Sequence, residues 1–164
     1  MGRPSAIELL DIVCPGVRAR LEAYGGEFID ATIHVPPSVA YDANGQLFKI
    51  SVGVRLVLPD EKVIQIITRN TKDGPIWRNS GYYSFHCGPS KGDPTEVFFR
   101  IDRNRDHGLH CHILGQGRPG AKTGGHLSPR EVRPDIIAVD VLRFLDYVDE
   151  FLRTGVIPFT RFGP

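Results

Sequence analysis

The sequence contains no run approaching the roughly 20 apolar residues that a helix needs to cross a bilayer, and Glu8 and Asp11 interrupt what would otherwise start a basic-then-apolar leader. A soluble, cytoplasmic protein with no membrane partner is expected. Cysteine is equally scarce. Cys14, Cys87 and Cys111 are odd in number and form no C-x-x-C pair, which argues against a disulfide framework or an all-cysteine zinc knuckle and for a reducing compartment. Charge of one sign is lacking too: 20 Lys+Arg against 19 Asp+Glu leave +1, so any polyanion site must be local. Nucleotide-phosphate signatures are absent. Lys122-Thr123 follows Ala121, not the glycine a P-loop requires, and the glycine-rich loop leads into no helix of the dinucleotide-binding pattern.

What is present suffices for a core. A chain of 164 residues with 41% hydrophobic content fits one compact domain, while 18 Gly and 13 Pro make it rich in turns. Residues 5–26 read as two short helical pieces, with Ser5 capping the first, Pro15 opening the second and Gly25–Gly26 ending it. A strand can follow over 27–35 before Pro36-Pro37, and Asp42-Ala43-Asn44-Gly45 makes a turn. Residues 1–45 are thus expected to form an N-terminal helical extension, and 46–164 an α+β domain.

Two β-branched runs, 47–58 and 62–69, flank Pro59-Asp60-Glu61 and predict a hairpin. Residues 81–87, 95–102 and 108–114 supply three further strands, joined by connections too short for helical crossovers. The expected fold class is therefore α+β, with a mainly antiparallel sheet of about five strands. Residues 115–133 read as an exposed loop. Beyond Pro134, Asp135 can cap a C-terminal amphipathic helix whose Ile137, Val141, Leu145, Val148 and Leu152 pack on one sheet face, leaving Asp140, Arg143, Asp149 and Glu150 exposed. Tyr82 and Phe98 read as sheet packing, Tyr83 on the alternate face as a base-stacking surface, and Trp77 as core anchor or nucleobase platform. His34 and His86 read as structural, Cys87 and Cys111 as core side chains.

The chemistry concentrates between Arg100 and Arg133, which hold seven basic and three acidic residues and four of the six histidines. Period two puts His110 and His112 on one face of their strand, while His107 at the preceding turn can fold back towards them. Three uses of this cluster are open. It can be surface polarity. It can hold Zn²⁺ or Mn²⁺ through His107, His110, His112 and His126, with Asp102 or Asp106 as oxygen donors. Without a cofactor, it can cleave RNA through the 2′-hydroxyl: histidines divide the acid and base work near neutral pH, Asp102 orients an imidazole, and Arg100, Arg105, Arg118 and Lys122 bind phosphate.

The stretches Tyr82-Tyr83-Ser84-Phe85, Arg100-Ile101-Asp102 and His107-Gly108-Leu109-His110-Cys111-His112, followed by the helix, resemble the TumE-like toxin family of prokaryotic toxin–antitoxin systems over roughly residues 52–151. The resemblance implies a growth-inhibiting toxin acting on RNA, held inactive by a cognate antitoxin protein. The extension through Gly45 and the glycine-rich insertion before His126 depart from that pattern. The leading expectation is a ribonuclease-like toxin with His107, His110, His112 and Asp102 as its catalytic set. The alternatives are a noncatalytic nucleic-acid or protein binding module and a metal-dependent phosphodiesterase using the same histidines.

Overall fold

The computed structural model describes residues 2, 4–29, 37–92, 96–114, 125–127 and 139–157. Helix α1 spans Ala6–Val13 and opens with the expected cap: Ser5 Oγ accepts from the Glu8 amide, and Glu8 reaches back to the Ser5 amide at 2.7 Å. Helix α2 spans Val17–Glu22 and begins after Gly16 instead of at Pro15, because Gly16 takes the left-handed φ of 92° that turns the chain into it. Leu9, Leu10, Val17 and Leu21 of these helices are buried in the same core as the sheet.

Eight strands follow among the described residues: β1 Glu27–Ile29, β2 Ser38–Tyr41, β3 Leu47–Val57, β4 Lys62–Asp73, β5 Ile76–Pro89, β6 Phe99–Asn104, β7 Gly108–Ile113 and β8 Gly125–Leu127. All pairings are antiparallel. The order is β1-β3-β4-β5-β6-β7-β8, and β2 shares the outer edge of β3 with β1, so eight strands fill seven positions. The expected five are β3 to β7. Of the additional three, β1 lies within the strand expected over 27–35, whereas β2 and β8, of four and three residues, are too short for their alternation to stand out from the flanking turn residues. Gly26 permits β1 to pair at all, since a Cβ there would sit 2.4 Å from the Val57 carbonyl oxygen.

Three expected boundaries differ. Strand β8 occupies residues 125–127 inside the segment read as loop. Strand β5 starts at Ile76, so Trp77 lies opposite Lys72 in a long hairpin instead of in a connection. Gly74, at φ 59°, supplies the first position of a turn of the II′ kind, followed by Pro75, whose fixed negative φ suits the second. Strand β6 begins at Phe99.

Helix α3 spans Val141–Thr154 and is capped by Asp140, whose carboxylate accepts from the Arg143 amide at 2.8 Å. Asp140 is thus the cap, not an exposed helical residue; Asp135 and Ile137 lie outside the described residues. The helix buries Phe144, Leu145, Val148 and Phe151 against one sheet face. Phe144 packs 5.4 Å from Phe85 and 5.9 Å from Phe99, between ring centroids. Tyr83 stacks on Phe85 at 4.5 Å on this same face and is buried, so its ring belongs to the core instead of standing out as a base-stacking surface. Cys87 and Cys111 are fully buried and unpaired. No helix among the described residues is long and apolar enough to cross a membrane.

Candidate functional site

Alternation sends every second side chain of the central strands away from α3. In β5 the aromatic and thiol side chains Tyr83, Phe85 and Cys87 face the core, which turns Ser84 and His86 to the other side. Register then carries polarity from strand to strand. Arg55 pairs with Gln65, Gln65 with His86, His86 with Arg100, Arg100 with His112, and His112 with His126. The neighbouring row brings Ser84 opposite Asp102 and Asp102 opposite His110.

At the centre lies a compact constellation. Arg100 Nε donates to Asp102 Oδ2 at 2.7 Å, and Arg100 lies 2.9 Å from His112 Nε2 through its NH2 group. A guanidinium can only donate, so that nitrogen accepts and the proton of neutral His112 resides on Nδ1. The same Nε2 stands 3.4 Å from Asp102 Oδ2 and can serve that oxygen only when protonated. His110 is fixed differently: Nδ1 donates to the Gly108 carbonyl at 3.2 Å, which turns Nε2 towards Asp102 Oδ2, 3.6 Å away. The His110 and His112 rings lie 5.1 Å apart, and His107 packs edge-on to His110 at 5.6 Å.

Asp102, His110 and His112 are each at most 7% exposed, so their electrostatics are set by neighbours more than by water. Burial opposes ionisation of Asp102. Contact with His112, the Arg100 guanidinium and Ser84 outweighs it and holds the carboxyl below its ordinary range. Its Oδ1 is buried and makes no hydrogen bond of ordinary geometry among the described residues. Burial pulls the His110 imidazole below its ordinary range, against the raising effect of the Gly108 carbonyl and Asp102. His86, buried beside Arg100 and Arg55, is pulled down to about 4 and bonds the Glu96 backbone carbonyl.

The structure thus brings together Arg100, Asp102, His107, His110 and His112. Arg105 is exposed in the β6–β7 turn. Arg118 and Lys122 lie outside the described residues, as does His34, and His126 is placed opposite His112 by backbone register. Sequence reasoning missed Ser84 and His86 as members of this face, although their phase against Tyr83, Phe85 and Cys87 was readable. For a metal, the ligand atoms of Asp102, His110 and His112 lie within 4.8 Å of one another, and anchoring of His110 by a backbone carbonyl is how ligating imidazoles are commonly held.

Beside the cluster, Asn79 stitches a bulge. Its side chain donates to Thr68 Oγ1, the Arg69 carbonyl and the Tyr82 carbonyl and accepts from the Gly81 amide, with Gly81 at φ 88°. Pairing of β5 with β6 runs only as far as Tyr83 and Arg103. Where the two strands part, a pocket of about 200 Å³ touches Arg100 and Asp102. Compared with protein-family models, curated proteins and solved structures, the chain matches none.

Proposed function

We propose that this protein cleaves RNA phosphodiester bonds by histidine acid–base chemistry with no resident metal. In line with its resemblance to TumE-like toxins, it acts in the cytoplasm as the toxin of a pair that an antitoxin protein silences. The observation that carries the metal-free reading is the position of Arg100: it supplies cationic donors to both Asp102 Oδ2 and His112 Nε2, where a metal would draw on the same lone pairs. Asp102 and His112 then act together to hold a guanidinium for the phosphoryl oxygens.

His110 is the general base, because the Gly108 carbonyl fixes its tautomer with the proton on Nδ1, and Nε2 faces the Asp102–Arg100 pair. It takes the 2′-hydroxyl proton as that oxygen attacks phosphorus. The P–O5′ bond breaks, and the departing 5′-oxygen receives a proton from the imidazolium of the exposed His107. Arg100 neutralises the charge gathering on the non-bridging oxygens, and the products are a 2′,3′-cyclic phosphate and a 5′-hydroxyl.

Convergence of the three ligand atoms within 4.8 Å favours a second reading, a Zn²⁺ or Mn²⁺ phosphodiesterase using Asp102, His110 and His112. One experiment separates the two. Purified protein is incubated with single-stranded and structured RNA, with and without EDTA, and product ends are mapped. Cleavage that survives EDTA, leaves cyclic phosphate ends and falls at least a hundredfold in His110→Ala is expected. Loss of activity with EDTA and its return with Zn²⁺ or Mn²⁺ would establish the metal reading, and salt-sensitive binding without turnover a noncatalytic module.

A further inference from the structure

We infer that the pocket between the diverging ends of β5 and β6 is a nucleobase subsite, in which Tyr82 stacks one base of the RNA and the Asn104 amide donates to an acceptor on its edge. The inference rests on the proposed RNA-cleaving function and adds to it a source of base selectivity. Its physical basis begins with the bulge at Asn79–Gly81. Bulges re-aim side chains and end pairing, and this one parts β5 from β6 immediately beyond Arg100 and Asp102. The resulting pocket is lined by Tyr82, Tyr83, Ser84, Arg100, Asp102, Arg103 and Asn104. Its volume of about 200 Å³ lies below the roughly 300 Å³ at which sites for drug-sized ligands begin, so it suits one base instead of a whole nucleotide.

Two side chains there are prepared for such a ligand. Tyr82 is half-buried, and the Arg69 guanidinium carbon lies 4.5 Å from its ring centroid, backing the aromatic plane with a cation. A planar aromatic next to a guanidinium is the surface on which unstacked bases of single-stranded RNA settle. Asn104 Oδ1 accepts from the Asp106 amide at 3.1 Å and the His107 amide at 2.8 Å. That fixes which end of the carboxamide is oxygen and leaves Nδ2 as an oriented donor. A donor in that position selects for a carbonyl or ring-nitrogen acceptor on the base. Because the pocket shares Arg100 with the cluster, a base held here belongs to a nucleotide flanking the phosphate that Arg100 clamps.

The probes are the four ribonucleoside 3′-monophosphates and inorganic phosphate, titrated into the full-length protein and followed by amide chemical shifts. Wild type is expected to bind at least one nucleotide more tightly than inorganic phosphate, with shifts at Gly81, Tyr82 and Asn104. Tyr82→Ala should weaken that nucleotide about tenfold and leave inorganic phosphate unchanged, while Tyr82→Phe retains it. Asn104→Asp preserves the oxygen that the Asp106 and His107 amides require and removes the donor, so it should lose base discrimination while its melting curve stays near wild type. Equal affinity for all four nucleotides and for inorganic phosphate would overturn the subsite, as would a Tyr82→Ala protein that binds nucleotides normally but no longer associates with an antitoxin polypeptide. This readout needs no turnover, so failure of the subsite and absence of ribonuclease activity are told apart.

Discussion

His86 shows how one side chain can link the site to stability. It is 5% exposed and its pKa is pulled down to about 4 by burial, then by Arg100 and Arg55. The unfolded chain binds a proton at this imidazole below about pH 6.5, whereas the folded protein refuses it until about 4. Between those values the unfolded state carries more protons, so stability rises with pH. The contribution is fully present above about 6.5 and is lost as the pH falls towards 4. Urea unfolding of His86→Gln should show the acid-side loss reduced by about 3 kcal/mol relative to wild type. An unchanged pH profile would show that His86 does not carry this titration. Asp102 contributes over a lower range, since its depressed carboxyl loses its stabilising ionisation only as the pH drops below its ordinary range.

Among the elements, α3 covers part of the sheet's apolar face. Its buried side chains pack on the apolar face, and the N-terminal helices are tied to its outer side. Arg20 donates to the Leu142 carbonyl at 3.2 Å and to Asp146 at 2.9 Å, reaches Asp149 at 2.7 Å, and Tyr24 bonds Asp149 as well. These polar ties are half-exposed and contribute modestly beside the aromatic packing. Phe144 is fully buried between Phe85 and Phe99. Phe144→Ala should therefore lower stability by about 3–5 kcal/mol, against about 1 kcal/mol for Asp140→Ala, which removes only the cap. Denaturant midpoints at constant m-value check the ranking. Equal losses would mean that α3 is anchored by its start and not by its apolar face.

Over the whole molecule the sheet separates two chemistries. One face packs on α3 and the N-terminal helices. The other carries Lys49, Arg55, Arg69, Arg78 and Arg100 by register and alternation, with Asp73 and Asp102 on the same side and Asp73 paired with Arg78 at 2.9 Å. Arg55 and Arg100 occupy one cross-strand row, three strand spacings or about 14 Å apart. Arg55 Nε is buried without a hydrogen-bond partner among the described residues, and its NH1 contacts Gln65 only at 3.4 Å. A near-neutral protein thus gathers more basic than acidic side chains on this face, the one that the proposed RNA substrate would meet. RNA affinity should fall linearly with salt on a log–log plot, and Arg55→Ala should reduce that slope by about 0.7 for single-stranded RNA. An unaltered slope would remove Arg55 from the binding face.

Much of this was legible in the residues themselves, wherever a local rule was strong. The β-branched runs at 47–58 and 62–69, the cap at Ser5 and the phase of His110 against Cys111 are local patterns of a few residues, and they determined the antiparallel α+β class and the cluster's strand. Short pieces such as Ser38–Tyr41 and Gly125–Leu127 carried no such signal, because three or four residues become strands only when a neighbouring edge satisfies their backbone groups. Tyr82 and Tyr83 exchanged expected places: alternation says that they face opposite ways, but only packing of Phe85 and Phe99 on Phe144 decides which way is inward. Register across four strands then set Arg100 against His112 and Asp102 against His110. Sequence spacing could place each of these groups on a strand and even hold Arg100 near Asp102 and His110 near Gly108, whereas the contact of Arg100 with His112 depends on the pairing of β6 with β7.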